Sequence, residues 1–213
     1  MNRTLLFLAV IGLASALVSC GPAMALFSLY TLEDKIFDQQ ILGEWRAVRP
    51  PEQEAESDEP LWIFARGKDD LSYNVTASST KRKDQGGLVS TARLVKLGNF
   101  LFMDFEGPDT EDRDFTFYPY PVVTAHMIAR IHADEKTLRI EFLNKTWLKK
   151  QSKAGKLALA TLDTDDGILV TATTAELRNF ALTHAEDAEA FSDRYEFVRE
   201  KQTAGGIPSV SPR

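Results

Sequence analysis

Apolar and polar positions alternate in short blocks through most of the chain. In residues 71–78, Leu71, Tyr73, Val75 and Ala77 alternate with Ser72, Asn74, Thr76 and Ser78, the period of a strand with one buried face. Residues 41–48 open the series, and 61–65 are continuously apolar. Residues 88–97 and 100–105 meet at Gly98-Asn99, a hairpin signal. Residues 122–133 turn through Asp134-Glu135-Lys136 into 138–143. Polar loops separate these blocks: an acidic, Pro-rich stretch at 49–60, a charged one at 81–87 ending in Gly-Gly, and a third at 107–114. Within 100–105, Phe100, Leu101, Phe102, Met103 and Phe105 supply both faces of one strand, as in a solid core.

Beyond residue 143 the period changes. Residues 146–150 read as a helical turn, and 157–162 with 168–172 as a hairpin about 163–167. Thr173-x-x-Glu176 has capping-box spacing, and Leu177, Phe180, Ala181 and His184 fall at i, i+3, i+4 and i+7. This predicts a helix over 174–184, with Leu177 and Phe180 against the sheet and Arg178 and Asn179 toward water. Residues 192–199 close the series with Tyr195 and Phe197 on one face. The pattern is mainly β with one or two late helices, in a curved antiparallel sheet or an up-and-down barrel.

Gly43-Glu44-Trp45 on the first strand resembles the Gly-x-Trp motif of lipocalin-like barrels. The resemblance implies a tryptophan packed at the closed end of a barrel under an arginine of the last strand, a role open to Arg194 or Arg199 through a cation–π contact. The stretch 171–191, with Thr171-Ala172-Thr173, Glu176-Leu177, Phe180 and Ala190-Phe191, resembles the end of a bacterial lipoprotein family that carries no known activity.

The start of the chain has a different pattern. Arg3 precedes an apolar run over residues 5–18, broken only by Gly12 and Ser15, and Leu17-Val18-Ser19-Cys20 follows. The run is shorter than the roughly 20 residues of a spanning helix and has the regions of a secretory signal. It resembles the lipobox of bacterial lipoprotein precursors. That resemblance implies cleavage before Cys20, lipid on its thiol, and attachment to the bacterial envelope, with Gly21 favouring an outer membrane and a periplasmic position. Two alternatives stand beside it: cleavage at Ala23-Met24-Ala25, releasing a soluble protein, and an uncleaved single-span anchor extended through 25–30. On the lipidated reading, residues 1–19 are signal, 20–40 a lipid-anchored tether, 41–200 one β-rich domain, and 201–213 a disordered tail.

Composition narrows the function. Cys20 is the single cysteine, so no disulfide supports the domain, and packing falls to 13 Phe, 5 Tyr and 3 Trp. The formal charge of −6 disfavours nucleic acid, whose phosphates would be repelled.

A search for chemistry finds little. His126 and His132 share a strand face but stand roughly 20 Å apart at about 3.3 Å per residue, too far for one metal. Those two read as surface or rim histidines, and His184 as packed at its helix end. Asp163-x-Asp165-Asp166-Gly167 lacks the calcium-loop glycine and glutamate positions and reads as a hairpin tip. No nucleophile elbow, phosphate loop or dinucleotide fingerprint occurs. Lys145, Lys149, Lys150, Lys153 and Lys156 make the densest basic run, a solvated face or a contact for phosphate head groups. The expectation is a non-enzymatic envelope module without cofactor or metal. It is held to the bilayer by acyl chains and docks to another envelope protein; the alternative is a barrel binding a small apolar molecule, and a third reading is an enzyme without a recognisable motif.

Overall fold

The computed structural model describes residues 21–48, 59–81, 87–107, 123–165 and 167–200. Its strands are β1 (Met24–Ala25), β2 (Lys35–Ile36), β3 (Gly43–Ala47), β4 (Pro60–Arg66), β5 (Ser72–Ser79), β6 (Leu88–Leu97), β7 (Phe100–Glu106), β8 (His126–Ala133) and β9 (Thr137–Phe142). Helix α1 (Lys145–Lys153), the hairpin β10 (Thr161–Thr164) and β11 (Gly167–Val170), helix α2 (Thr174–Thr183) and β12 (Asp193–Arg199) complete the order. Strands β3 to β9 pair antiparallel with their successors, and β12 pairs with both β9 and β3. The sheet therefore closes on itself as an up-and-down barrel of lipocalin-like form, as the alternation predicts.

Each strand of the β6–β7–β8 wall is apolar on both faces, and this produces two cores. Leu94, Met103, Phe105, Ala129 and Ile131 point inward, where they join Trp45, Phe64, Tyr73, Ile140 and Phe197 in one packed cluster. Val95, Leu97, Phe102 and Ile128 point outward. They are covered by Trp147 and Leu148 of α1, Leu177 and Phe180 of α2, and Ile168 and Val170 of β11.

The chain ahead of the barrel belongs to this second core, which corrects the tether expected at 20–40 and moves the start of the domain from residue 41 to Pro22. Strand β1 inserts between β8 and β11, with Met24 opposite Met127 and Leu169 and Ala25 opposite His126 and Val170. Ala23, Ala25 and Leu29 are buried, and β2 adds to β6 at Val95 and Leu94. These small and apolar residues fill the gap that opens where β9 diverges from β8.

The closed end of the barrel follows the Gly43-x-Trp45 expectation. A 3-10 turn, Gln39–Ile41, capped by Asp38, crosses the opening. Trp45 is fully buried and its Nε1 donates to the Ile41 carbonyl at 2.8 Å. Arg199 lies 4.1 Å over the Trp45 ring; its Nη1 donates to Leu42 O at 2.7 Å, its Nε to Glu135 O at 2.7 Å, and its Nη2 to Gln40 O. Arg194 does not share this role: its side chain leaves the barrel on the opposite face of β12 and meets Glu141. Gly43 has φ 127°, and a Cβ there would stand 2.8 Å from Arg199 Nη1.

Helix α2 carries the predicted capping box. Glu176 N–H donates to Thr173 Oγ1 at 3.4 Å, and Thr173 N–H donates to Glu176 Oε2 at 2.8 Å. Leu177 and Phe180 face the core and Asn179 faces water, but Arg178 does not. It is half-buried, donates to Leu29 O at 3.1 Å and pairs with Asp34. Helix α1 is longer than the expected turn, because Asn144 caps it by accepting from Trp147 N–H at 2.7 Å. The β10–β11 hairpin forms about its expected acidic tip, but β10 begins at Thr161 rather than 157. The expected strand from 122 is described from His126 onward. Residues 49–58, 82–86 and 108–122, which hold most of the expected polar loops, and the expected signal segment and tail at 201–213 lie outside the described residues.

Trp45→Ala should destabilise the fold by about 3–5 kcal/mol, as for other large core truncations. Gly43→Ala should cost about 1–3 kcal/mol from backbone strain and displacement of Arg199. Urea unfolding followed by circular dichroism measures both. On α2 the same experiment should give about 3–5 kcal/mol for Phe180→Ala, about 1–3 kcal/mol for Arg178→Ala through its lost charged hydrogen bonds, and almost nothing for Asn179→Ala.

Candidate functional site

Three features of the molecule are candidates for function: the junction where the chain enters the fold, the partly exposed aromatic cluster about Trp62, and the buried charges beneath the outer layer. Cys20, the expected lipidation site, lies outside the described residues, directly before Gly21. At the junction, Pro22 bridges Asn144 in antiparallel register and Ala23 N–H donates to Leu143 O at 2.8 Å. That register brings Gly21 alongside Lys145, at the start of α1. Among the described residues no helix is long and apolar enough to cross a membrane.

Trp62 of β4 stands directly opposite Trp45 of β3 and shares its inward face. Its ring lies 5.3 Å from Phe197, 6.0 Å from Phe105, 6.1 Å from Tyr195 and 6.5 Å from Phe142. Trp62 is half-buried and Tyr195 is 42% exposed, so the aromatic cluster meets solvent at these two side chains. The strand alternation anticipates Tyr195 and Phe197 on one face. Trp62 was not anticipated, since a continuously apolar block does not say which residues point inward.

The buried charges form two groups on the outward face of the barrel. In the first, Asp104 of β7 is fully buried; one carboxylate oxygen is 2.8 Å from His126 Nδ1, and the other accepts from Leu29 N–H at 2.6 Å. Beside it, Glu106 accepts from Tyr30 OH at 2.5 Å and from Arg93 Nη1 at 2.6 Å, while Arg93 lies 4.9 Å over the Tyr30 ring. Burial pushes the Asp104 carboxyl up, against His126 and the Leu29 amide. Burial disfavours the His126 imidazolium, but the hydrogen bond and charge of Asp104 outweigh it and hold His126 above its ordinary value. Burial also pushes the Tyr30 hydroxyl up, reinforced by Glu106. His126 is thus buried and paired, a correction to its reading as a rim histidine.

In the second group, Arg130, Glu141 and Arg194 face one another across β8, β9 and β12 in direct register. Glu141 is fully buried. It accepts from Arg130 Nε at 2.8 Å and Arg194 Nε at 2.9 Å, with His132 Nε2 at 3.3 Å. Burial would raise the Glu141 carboxyl, but Arg130, with Arg139 and Arg194, holds it below the usual range. Arg130 also donates to the Ala185 carbonyl, joining this group to the end of α2. His184 caps that helix and packs 4.5 Å from Phe180, as expected.

Chemically, both groups are tied off. Asp104 and His126 have the carboxylate–imidazole geometry that orients a general base, but the second Asp104 oxygen is taken by the strap residue Leu29 and no hydroxyl or thiol nucleophile is bonded to the ring in the described contacts. The arrangement latches the segment 26–36 onto the barrel wall. Among the described residues there is no cluster of three metal-ligating side chains. The sequence signal for these groups is a charge inside an apolar block: Asp104 interrupts Phe100 to Phe105, and Arg130 and Glu141 interrupt two further blocks. Such residues must be paired when the strand is buried on both faces.

The His126 shift sets a pH dependence. An imidazole held above its ordinary value contributes its full stabilisation below the unfolded value of about 6.5, and the contribution is lost as pH rises through the folded value. Stability to urea should therefore fall as pH rises above about 6.5, through the raised folded-state value of His126, and His126→Asn should flatten that part of the profile.

Compared with known proteins, the chain matches no protein-family model, no curated protein and no solved structure.

Proposed function

We propose that this chain is a bacterial envelope lipoprotein, anchored through lipid on Cys20, whose barrel serves as a non-catalytic interaction module. The observation that carries the reading is where the fold begins. Cleavage before Cys20 leaves every described residue of the domain in place. Cleavage after Ala25 would instead remove Ala23 and Ala25 from the core and β1 from between β8 and β11. A membrane helix continued through Pro22 conflicts with the extended pairing of residues 22–25. The packed interior and the self-satisfied buried charges favour a rigid docking body over an enzyme. Attachment by two or more acyl chains is effectively permanent, because each buried methylene contributes about 0.8 kcal/mol.

A second reading, a barrel that takes a small apolar molecule, is favoured by one observation: the aromatic cluster meets solvent at Trp62 and Tyr195.

Intact mass of the protein extracted from membranes should equal residues 20–213 plus acyl chains, and Cys20→Ser should leave the precursor unprocessed. An unlipidated mature chain beginning at Leu26 would overturn the proposal. A stoichiometric apolar molecule in the same extract, lost on Trp62→Ala, would favour the second reading.

A further inference from the structure

The hairpin β10–β11 and strand β1 continue the barrel sheet beyond β8, and among the described residues no element covers one face of this extension. Leu162 of β10 stands opposite Leu169 of β11, which stands opposite Met24 of β1, which stands opposite Met127 of β8. Because paired residues in a sheet share a face, these four make one apolar row. The other face of the same strands carries Ala25, Ile168 and Val170 and is buried under the helices. In the row itself Leu162 is 56% exposed and Met24 47%, with Phe27 at 47% exposure three residues on. Two strand faces this short are ordinarily polar on the solvent side. At its inner end the row reaches Met127, which packs against the inward cluster, and then Phe105, its partner on β7.

We infer that this row lies in the interfacial layer of the bilayer that holds the anchor, so that the barrel rests on the membrane along this face. The inference rests on lipidation of Cys20. Four residues of extended chain, about 13 Å, separate that cysteine from Met24, and the pairing of Pro22 and Ala23 leaves no slack between them. The apolar row is therefore held within reach of the acyl-chain boundary wherever the anchor inserts, and exposed Leu, Met and Phe side chains are the ones that partition there. Among the lysines of α1, Lys150 lies 3.9 Å from Glu189, and both are exposed. The contact made by the row itself is apolar.

The unique native thiol is consumed by the anchor, which makes the test direct. Leu162→Cys and, at the closed end, Lys136→Cys are expressed as full precursors, processed, labelled with an environment-sensitive fluorophore and reconstituted into phosphatidylcholine vesicles containing brominated acyl chains. Quenching at residue 162 should exceed that at residue 136 by about fivefold, and should persist at about 1 M salt, where the screening length is only about 3 Å. Equal, weak quenching at both positions in protein whose mass shows a lipidated Cys20 would overturn the inference and leave the anchor intact. Crosslinking of two Leu162→Cys chains would assign the row to a second copy instead and also overturn it. Mature protein without acyl mass would remove the anchor, and the inference with it.

Discussion

The constraint on which this structure depends is that the β6–β7–β8 wall is apolar on both faces. A barrel strand ordinarily buries alternate residues and wets the rest. Here Met103 and Phe105 fill the interior while Phe102, one position away, is fully buried outside. Uncovered, the outer face would be a large exposed patch of the kind that aggregates. The fold covers it with everything not needed for the barrel: the N-terminal segment, both helices and an extra hairpin. The long excursion between β9 and β12 is thus a lid for the wall, and the residues before β3 are structural rather than a spacer.

Two-sided burial also dictates the electrostatics. A charge on such a strand has no route to water, so it is costly unless paired and hydrogen-bonded. Asp104 and Glu141 meet that condition differently. Glu141 is surrounded by guanidinium groups and stays ionised, so its carboxyl is held low. Asp104 has one imidazole and one amide, fewer and weaker partners, and burial prevails. Each carboxylate also holds a covering piece: Asp104 takes the Leu29 amide, and Glu141 orients the arginine that reaches Ala185. The charges therefore act as pins that select one position for the outer layer, where apolar contact alone would allow sliding.

What was legible in the sequence follows the range of each signal. Alternation and hairpin chemistry are local, and they located the barrel strands, the Gly98 turn and the α2 capping box to within a few residues. The Trp45–Arg199 contact spans the whole chain, yet a resemblance at Gly43-x-Trp45 narrowed it to two arginines, and the strand face of β12 decides between them. The segment at 22–40 was misread because its two-residue strands are too short to show a period, and its burial is set entirely by partners at 126–127 and 168–170. Arg178 was misread for the same reason: its helix face looks outward until the strap carrying Leu29 and Asp34 is laid across it. His126 carries no sign of its pairing, since Asp104 is diagonal to it on the next strand.

The same geometry constrains how the domain can act at a membrane. A long flexible tether would let a barrel sample all orientations, and its surface would then matter only through the partners it met in solution. With pairing that starts at Pro22, the position of residue 20 is coupled to the sheet through β1, and β1 is in register with β8. On the proposed lipidation of Cys20, force on the anchor would pass to β8 and β11 through the β1 pairing and the buried Ala23 and Ala25. If Cys20 carries lipid, as proposed, lipidation in this architecture would be an orienting device as well as an attachment. The row of Leu162, Leu169 and Met24 is apolar where an ordinary sheet surface would be polar, and on the proposed anchoring it is the face that attachment would present.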